Sequence, residues 1–178
     1  MTRLICSAEK KSFLILMLSG LLTMSSAVAD EEGLLTLKGT VIEQACTVDP
    51  SDENKMVELG EWSTRKISSP GGHSEPVDFT IKLTGCSAGG VTLTFTGETD
   101  TNDNSLLALN NESTASGVAV EIMDSAHQRL PLNEESKPVD VDDNGNVRLN
   151  FSARYISTSD RVTAGTANAD SLFTLSYD

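Results

Sequence analysis

The stretch VDFTIKLTGC, residues 77–86, places Val77, Phe79, Ile81 and Leu83 at alternate positions, with Asp78, Thr80 and Lys82 between them. A period of two is that of a strand with one dry face and one wet face; a helix would space its apolar residues three and four apart. Outward from this stretch the pattern recurs. VTLTF, 91–95, follows Gly89-Gly90, and Val118, Val120 and Ile122 alternate in GVAVEIMD. Val147, Leu149 and Phe151 alternate in NVRLNFSARY, and Phe173, Leu175 and Tyr177 share one side of SLFTLSY. Thr, Val and Ser are frequent, Asn, Asp and Gly cluster in the connections, and no long helical stripe interrupts the series. Half-buried strands cover their apolar faces by packing sheet on sheet, so the expected fold is an all-β sandwich.

At the front of the chain, Arg3, Lys10 and Lys11 precede an apolar run from Phe13 to Leu22, and Ala27-Val28-Ala29 supplies small residues before Asp30. This is the layout of a secretory signal peptide over 1–29, and the run is too short to read as a membrane span. Removing it leaves 149 of the 178 residues, one domain with room for a core. Cys6 goes with the signal, and the remaining Cys46 and Cys86 permit one bridge in an oxidising compartment. Of 13 basic and 26 acidic side chains, 10 and 25 remain, a formal charge of −15. Such a surface repels nucleic acid and anionic membranes.

No catalytic or metal constellation stands out. Asp140, Asp142, Asn144 and Gly145 in VDVDDNGNV match the opening of a calcium loop, but its twelfth position is Phe151 and the flanks read as strands. The expectation there is a hairpin turn about Asn144-Gly145. His73 and His127 sit in turn-like sequence without a nucleophile motif, so the chain is not expected to be an enzyme and no cofactor is expected. Asn111-Glu112-Ser113 formally matches a glycosylation acceptor, and Trp62 is expected to pack where ELGEW meets the sandwich.

GLLTLKGTV, 33–41, is different. Leu35, Leu37 and Val41 alternate with Thr36, Lys38 and Thr40, Gly39 interrupts the apolar side, and Asp30-Glu31-Glu32 stands directly in front. This is a strand close to the expected mature end, with no obvious neighbour.

Taken together, these segments resemble the pilin subunits of bacterial fimbriae assembled by the chaperone–usher route, of the type 1-like kind. LTLKGTVIEQACTVD is similar to the family's N-terminal extension running into the first strand and first cysteine, and DFTIKLTGC to its second-cysteine strand. GVAVEIMDSAHQRLPLN, LNFSARY and VTAGTANADSLFTLSY resemble the later strands. Tyr177 as the penultimate residue and Gly165 as the fourteenth from the C-terminus sharpen the likeness.

The resemblance implies an incomplete immunoglobulin-like β-sandwich that lacks its C-terminal strand and is completed by one donated from a chaperone or neighbouring subunit. It divides the chain into a signal peptide, 1–29, a donor-strand extension, 30–42, and a pilin domain, 43–178. Gly33, Leu35, Leu37, Gly39 and Val41 would then face a neighbour's groove, with the leucines as plugs. Gly165, Phe173, Leu175 and Tyr177 would form the groove and the surface recognised by chaperone and usher, and Cys46 and Cys86 would tie the first strand to the second. The implied partners are a periplasmic pilus chaperone, an outer-membrane usher and neighbouring subunits. The implied destination is the fimbrium at the cell surface, with neither nucleic acid nor stable membrane insertion involved. The lack of room for a lectin domain argues against a tip adhesin, and the short extension suits a minor or adaptor subunit. A major rod subunit is the alternative within the family. A self-contained secreted carbohydrate-binding sandwich is the alternative outside it, which low aromatic content disfavours.

Overall fold

The computed structural model describes residues 45–87 and 89–177, so the expected signal peptide and extension lie outside the described residues. The alternating segments become the strands. These are β1 (Thr47–Val48), β2 (Val77–Thr84), β3 (Gly90–Gly97), β4 (Val118–Asp124), β5 (Val139–Asp140), β6 (Val147–Ser157) and β7 (Ser171–Tyr177). One sheet has the order β1-β2-β6-β4 and the other β5-β3-β7. All pairings are antiparallel, with Phe79 opposite Phe151, Ile122 opposite Ala153 and Phe95 opposite Phe173.

The apolar positions that set the period also form the core. Ile81, Leu83, Val91, Leu93, Leu149 and Phe151 are each at most 4 % exposed. Between the sheets, Phe95 meets Phe151 edge-on with centroids 5.0 Å apart, and Phe79 leans on both at 6.3 and 5.9 Å. Offset and edge-on rings avoid like-charged faces and add about 0.5–1.5 kcal/mol per pair to the burial itself.

β4 departs from simple alternation because both of its faces are covered. Val120 and Ile122 face the core, while Ala119 packs with Leu106 and Ile156 in a second cluster. Glu121, only 3 % exposed, accepts hydrogen bonds from Arg129 Nε at 2.6 Å and from Arg154 Nε. Arg129 also reaches Asp103 at 2.8 Å. A buried carboxylate without such partners would strongly favour unfolding. Burial works against the Arg129 charge, but Glu121 and Asp103 outweigh it and hold its pKa above the ordinary value.

The expected turn at Asn144-Gly145 forms, but not as a hairpin. Asp142 N–H donates to the Asn146 carbonyl at 3.0 Å, the Asp142 carboxylate accepts from the amides of Asn144 and Asn146, and Gly145 has φ +75°. The flanking strands nevertheless diverge: β5 pairs with β3 in one sheet and β6 with β2 and β4 in the other. The turn carries the chain across the sandwich.

Cys46 and Cys86 are bridged, with Cα atoms 4.2 Å apart and a sequence separation of 40. The bridge fastens the entrance of β1 to the exit of β2. Closing a loop of this size in the unfolded chain is worth about 4 kcal/mol in the entropy model. Cys46→Ala is therefore expected to lower the urea midpoint and the recovered yield substantially; an unchanged midpoint would show that the bridge contributes little.

Candidate functional site

Among the described residues, the last strand is paired on one edge only. β7 bonds to β3 from Ser171 to Tyr177, and no strand among the described residues lies along its other edge. On the facing side, β1 ends at Val48 and the chain leaves β2. Asp49 N–H donates to the Lys82 carbonyl at 2.9 Å, and Lys82 N–H donates to Asp52 Oδ2 at 2.9 Å. Asp52 is 1 % exposed and also holds the Lys55 ammonium at 2.6 Å. Burial pushes its carboxyl up, but the Lys55 and Lys82 hydrogen bonds outweigh this and keep the pKa below the ordinary value.

Beyond this anchor, residues 55–61 pair with no described strand, although half-buried Val57 and Leu59 alternate with exposed Met56, Glu58 and Gly60. The indole N–H of Trp62 donates to the Leu59 carbonyl at 2.7 Å, and the Lys66 ammonium sits over the ring, 4.6 Å from its centroid. Two strand-like edges thus face each other without meeting. The gap is a groove of about 1330 Å³, floored by Phe79, Ile81, Phe95, Val120, Ile122 and Ala153 and rimmed by residues 53–62 and 162–173.

The second rim is fixed from outside. The amides of Thr114 and Ala115 donate to the Thr166 carbonyl at 3.0 and 2.9 Å, Thr166 N–H returns a bond to Thr114 Oγ1, and Tyr155 OH donates to the Ala167 carbonyl at 2.6 Å. Gly165 lies in this contact. A Cβ there would stand 2.4 Å from Thr114 Oγ1, 2.5 Å from Ala115 N and 2.6 Å from the Thr114 carbonyl carbon, so glycine is what lets the rim close on its neighbour.

Of the residues singled out in the sequence, Gly165 and Phe173 line the groove. Leu175 and Tyr177 share a side with Phe173 and pack against the core farther along, opposite Leu93 and Val91. Gly33, Leu35, Leu37, Gly39 and Val41 lie outside the described residues. The rim of residues 53–62 and its Asp52 anchor were not anticipated; their signal, Val57 alternating with Leu59, is too short to stand out. Trp62, expected to pack where ELGEW meets the sandwich, is half-buried and lines the groove. Among the described residues no three His, Cys, Asp or Glu side chains gather as metal ligands. His73 bonds the Ser74 carbonyl and His127 lies 3.3 Å from Asp78, both away from the groove lining.

Apolar floor and open strand edges suit one kind of ligand: an extended segment that supplies backbone hydrogen bonds to the edges and side chains to the floor. Comparison with known proteins agrees. The family profile described as Fimbrial protein matches residues 35–178. The chain belongs to the fimbrial protein family. It is 42 % identical over 144 residues to the fimbrial-like protein FimF of Salmonella typhimurium, covering 81 % of this chain and 83 % of that one. To the fimbrial-like protein SfmA of Escherichia coli K12 it is 34 % identical, covering 88 % and 91 %. The crystal structure of an antigen and type I fimbria protein of Burkholderia pseudomallei superposes with a TM-score of 0.60 at 32 % identity, covering 74 % of this chain and 88 % of that one. The P pilus rod subunit PapA shares the fold at 22 % identity, with a TM-score of 0.65 over 75 % and 99 % of the two chains.

The subunit is thus a structural component of a bacterial fimbria and not an enzyme. It is secreted, surface-exposed and assembled by the chaperone–usher route through donor-strand exchange. Its sandwich is immunoglobulin-like and, among the described residues, lacks the strand that would close the groove. Family membership implies dealings with a chaperone, an usher and other subunits.

Proposed function

We propose that this chain is a minor or adaptor subunit, removed from its signal peptide after Ala29, which donates residues 30–42 to one neighbour and accepts a strand from another. Leu35 and Leu37 are the plugs it donates, and Gly39 keeps the strand thin where a side chain would obstruct the neighbour's floor. The accepting site is its own groove between residues 53–62 and β7. A periplasmic chaperone occupies that groove first, engaging the free edge of β7 beside Phe173, Leu175 and Tyr177, and the outer-membrane usher directs the exchange. The observation that carries the accepting half is the groove itself, apolar on its floor and flanked by two edges that no strand among the described residues pairs. The minor assignment is supported by the brevity of the donor segment, with Cys46 close behind it.

The test separates the two ends of the molecule. Leu37→Arg is expected to leave chaperone capture intact while blocking incorporation beneath the preceding subunit, read by pull-down and by fibre composition. In purified wild-type fibres, quantitative mass spectrometry is expected to find this chain far below the rod subunit in amount. Copy numbers matching the rod would make it a major subunit, and normal incorporation of Leu37→Arg would remove 30–42 from the donor role.

A further inference from the structure

The groove is apolar on its floor and acidic around its mouth. Glu53, Glu58, Glu61, Glu112 and Asp170 line it, all exposed. Among the described lining residues the basic side chain is Lys55, and its ammonium is already held 2.6 Å from Asp52. Arg65 and Lys66 follow this rim but do not join the lining, and Lys66 is bonded to Glu75 at 3.0 Å.

The carboxylates are spread along the whole opening. Only residues 85–89 join β2 to β3, and Val91 lies opposite Tyr177, so the Asp52 anchor at Lys82, with Glu53 beside it, lies toward the end of the sandwich where Tyr177 sits. Asp170 immediately precedes β7 at the other end and accepts from Asn110 Nδ2 at 2.8 Å, with Glu112 close by in sequence. Glu58 lies between, near enough to Tyr155 to add its charge to burial in raising that phenol's pKa. An incoming strand therefore meets carboxylates whichever way it runs.

The chain's own candidate strand is a poor match for such a mouth. Residues 30–42 carry Asp30, Glu31 and Glu32 against Lys38, a net charge of −2, on a mature chain of formal charge −15. Nine residues of strand, 33–41, extend about 30 Å. That is only slightly longer than β7, so the acidic triplet would stand within about 10 Å of the groove mouth, inside the screening length at 0.1 M salt.

We propose that the groove discriminates against a second copy of its own chain and takes a strand from a different subunit, one bearing lysine or arginine beside its apolar plugs. The apolar floor supplies attraction common to all donors, and the acidic mouth supplies the repulsion that excludes self. The proposal rests on the strand-accepting reading above.

The experiment uses the mature chain, residues 30–178, and three fluorescent peptides spanning 30–42. One has the native sequence, one carries Asp30→Asn, Glu31→Gln and Glu32→Gln, and one carries lysine at all three positions. Binding by anisotropy and the shift in thermal midpoint are read at low and at high salt. The lysine peptide is expected to bind at least about tenfold more tightly than the native one at low salt, the neutral peptide between them, with the gap nearly closed at high salt. In a protein carrying Glu58→Gln, Glu61→Gln and Glu112→Gln, which keeps Glu53 and Asp170, the gap at low salt is expected to narrow by more than half on a logarithmic scale. Equal binding of native and lysine peptides at low salt, or a gap left unchanged in the triple variant, would overturn the proposal. If none of the three peptides binds or stabilises the protein, the strand-accepting reading itself fails and this one with it.

Discussion

A chain ended after Leu172, without Phe173 to Tyr177, is expected to yield no folded subunit and no chaperone complex. β7 pairs with β3 from Val91 to Gly97, and without it the second sheet is left with β3 and the two residues of β5. Val91 and Leu93, now fully buried, and Phe95, 5 % exposed, would lose that cover. Exposing a large apolar side chain costs about 1.5–3 kcal/mol. Three of them approach the whole stability of a domain, commonly about 5–15 kcal/mol. Periplasmic extracts from cells that also make the chaperone would show the truncated chain degraded. Leu172→Ser provides the contrast: Leu172 is 77 % exposed, and its loss is expected to leave folding and capture intact. Recovery of the truncated chain in soluble, chaperone-bound form would mean that β7 is dispensable for both.

Gly165→Ala is expected to cost about 3 kcal/mol, at the upper end for forcing one carbon into a packed site. Its Cβ would meet backbone atoms of Thr114 and Ala115 within 2.6 Å, and backbone cannot rotate away as a side chain can. The rim of residues 162–170 would lift from the 113–115 segment and the groove would widen, so strand binding should weaken along with stability. Thr114→Ala should not rescue it, because Ala115 N remains 2.5 Å away. The comparison is Gly145→Ala, where the nearest atom would be 3.4 Å off and the positive φ alone carries a smaller cost. Urea denaturation of the two variants, each with a bound donor peptide, reads the difference. Equal midpoints would place Gly165 outside the structural role assigned to it.

The long strands were legible because each carries its instructions locally. Every second residue is apolar along β2, from Val147 to Tyr155 in β6 and from Phe173 to Tyr177 in β7, and the turns between them are rich in glycine, aspartate and asparagine. What could not be read was set by distant partners. Glu121 sits at an outward position of β4, where alternation predicts water, but residues such as Leu106 and Arg129 fold over that face. Asn144-Gly145 makes the same tight turn whether the next strand returns beside the last or crosses to the other sheet, and only the pairing of β6 with β2 and β4 decides. The candidate site divides in the same way. Phe173 and Gly165 could be named only through the resemblance of the C-terminal segment to pilins, whereas residues 55–61 are defined by the absence of a neighbouring strand among the described residues, which no local pattern announces.

The two open edges flanking the groove also set how a joint made there would bear tension. A strand seated beside β7 lies parallel to the edges it bonds, and its apolar side chains sit in successive positions along the floor. Pulled sideways from one end, its hydrogen bonds would break in succession, as in peeling tape. Pulled along its own direction, every hydrogen bond and every plug is loaded together, in shear, and all must yield in a single step. The lifetime of such a joint under load is governed by its dissociation barrier rather than by equilibrium affinity. A string of subunits joined in this way and stretched along its length is loaded in the direction in which each joint is strongest.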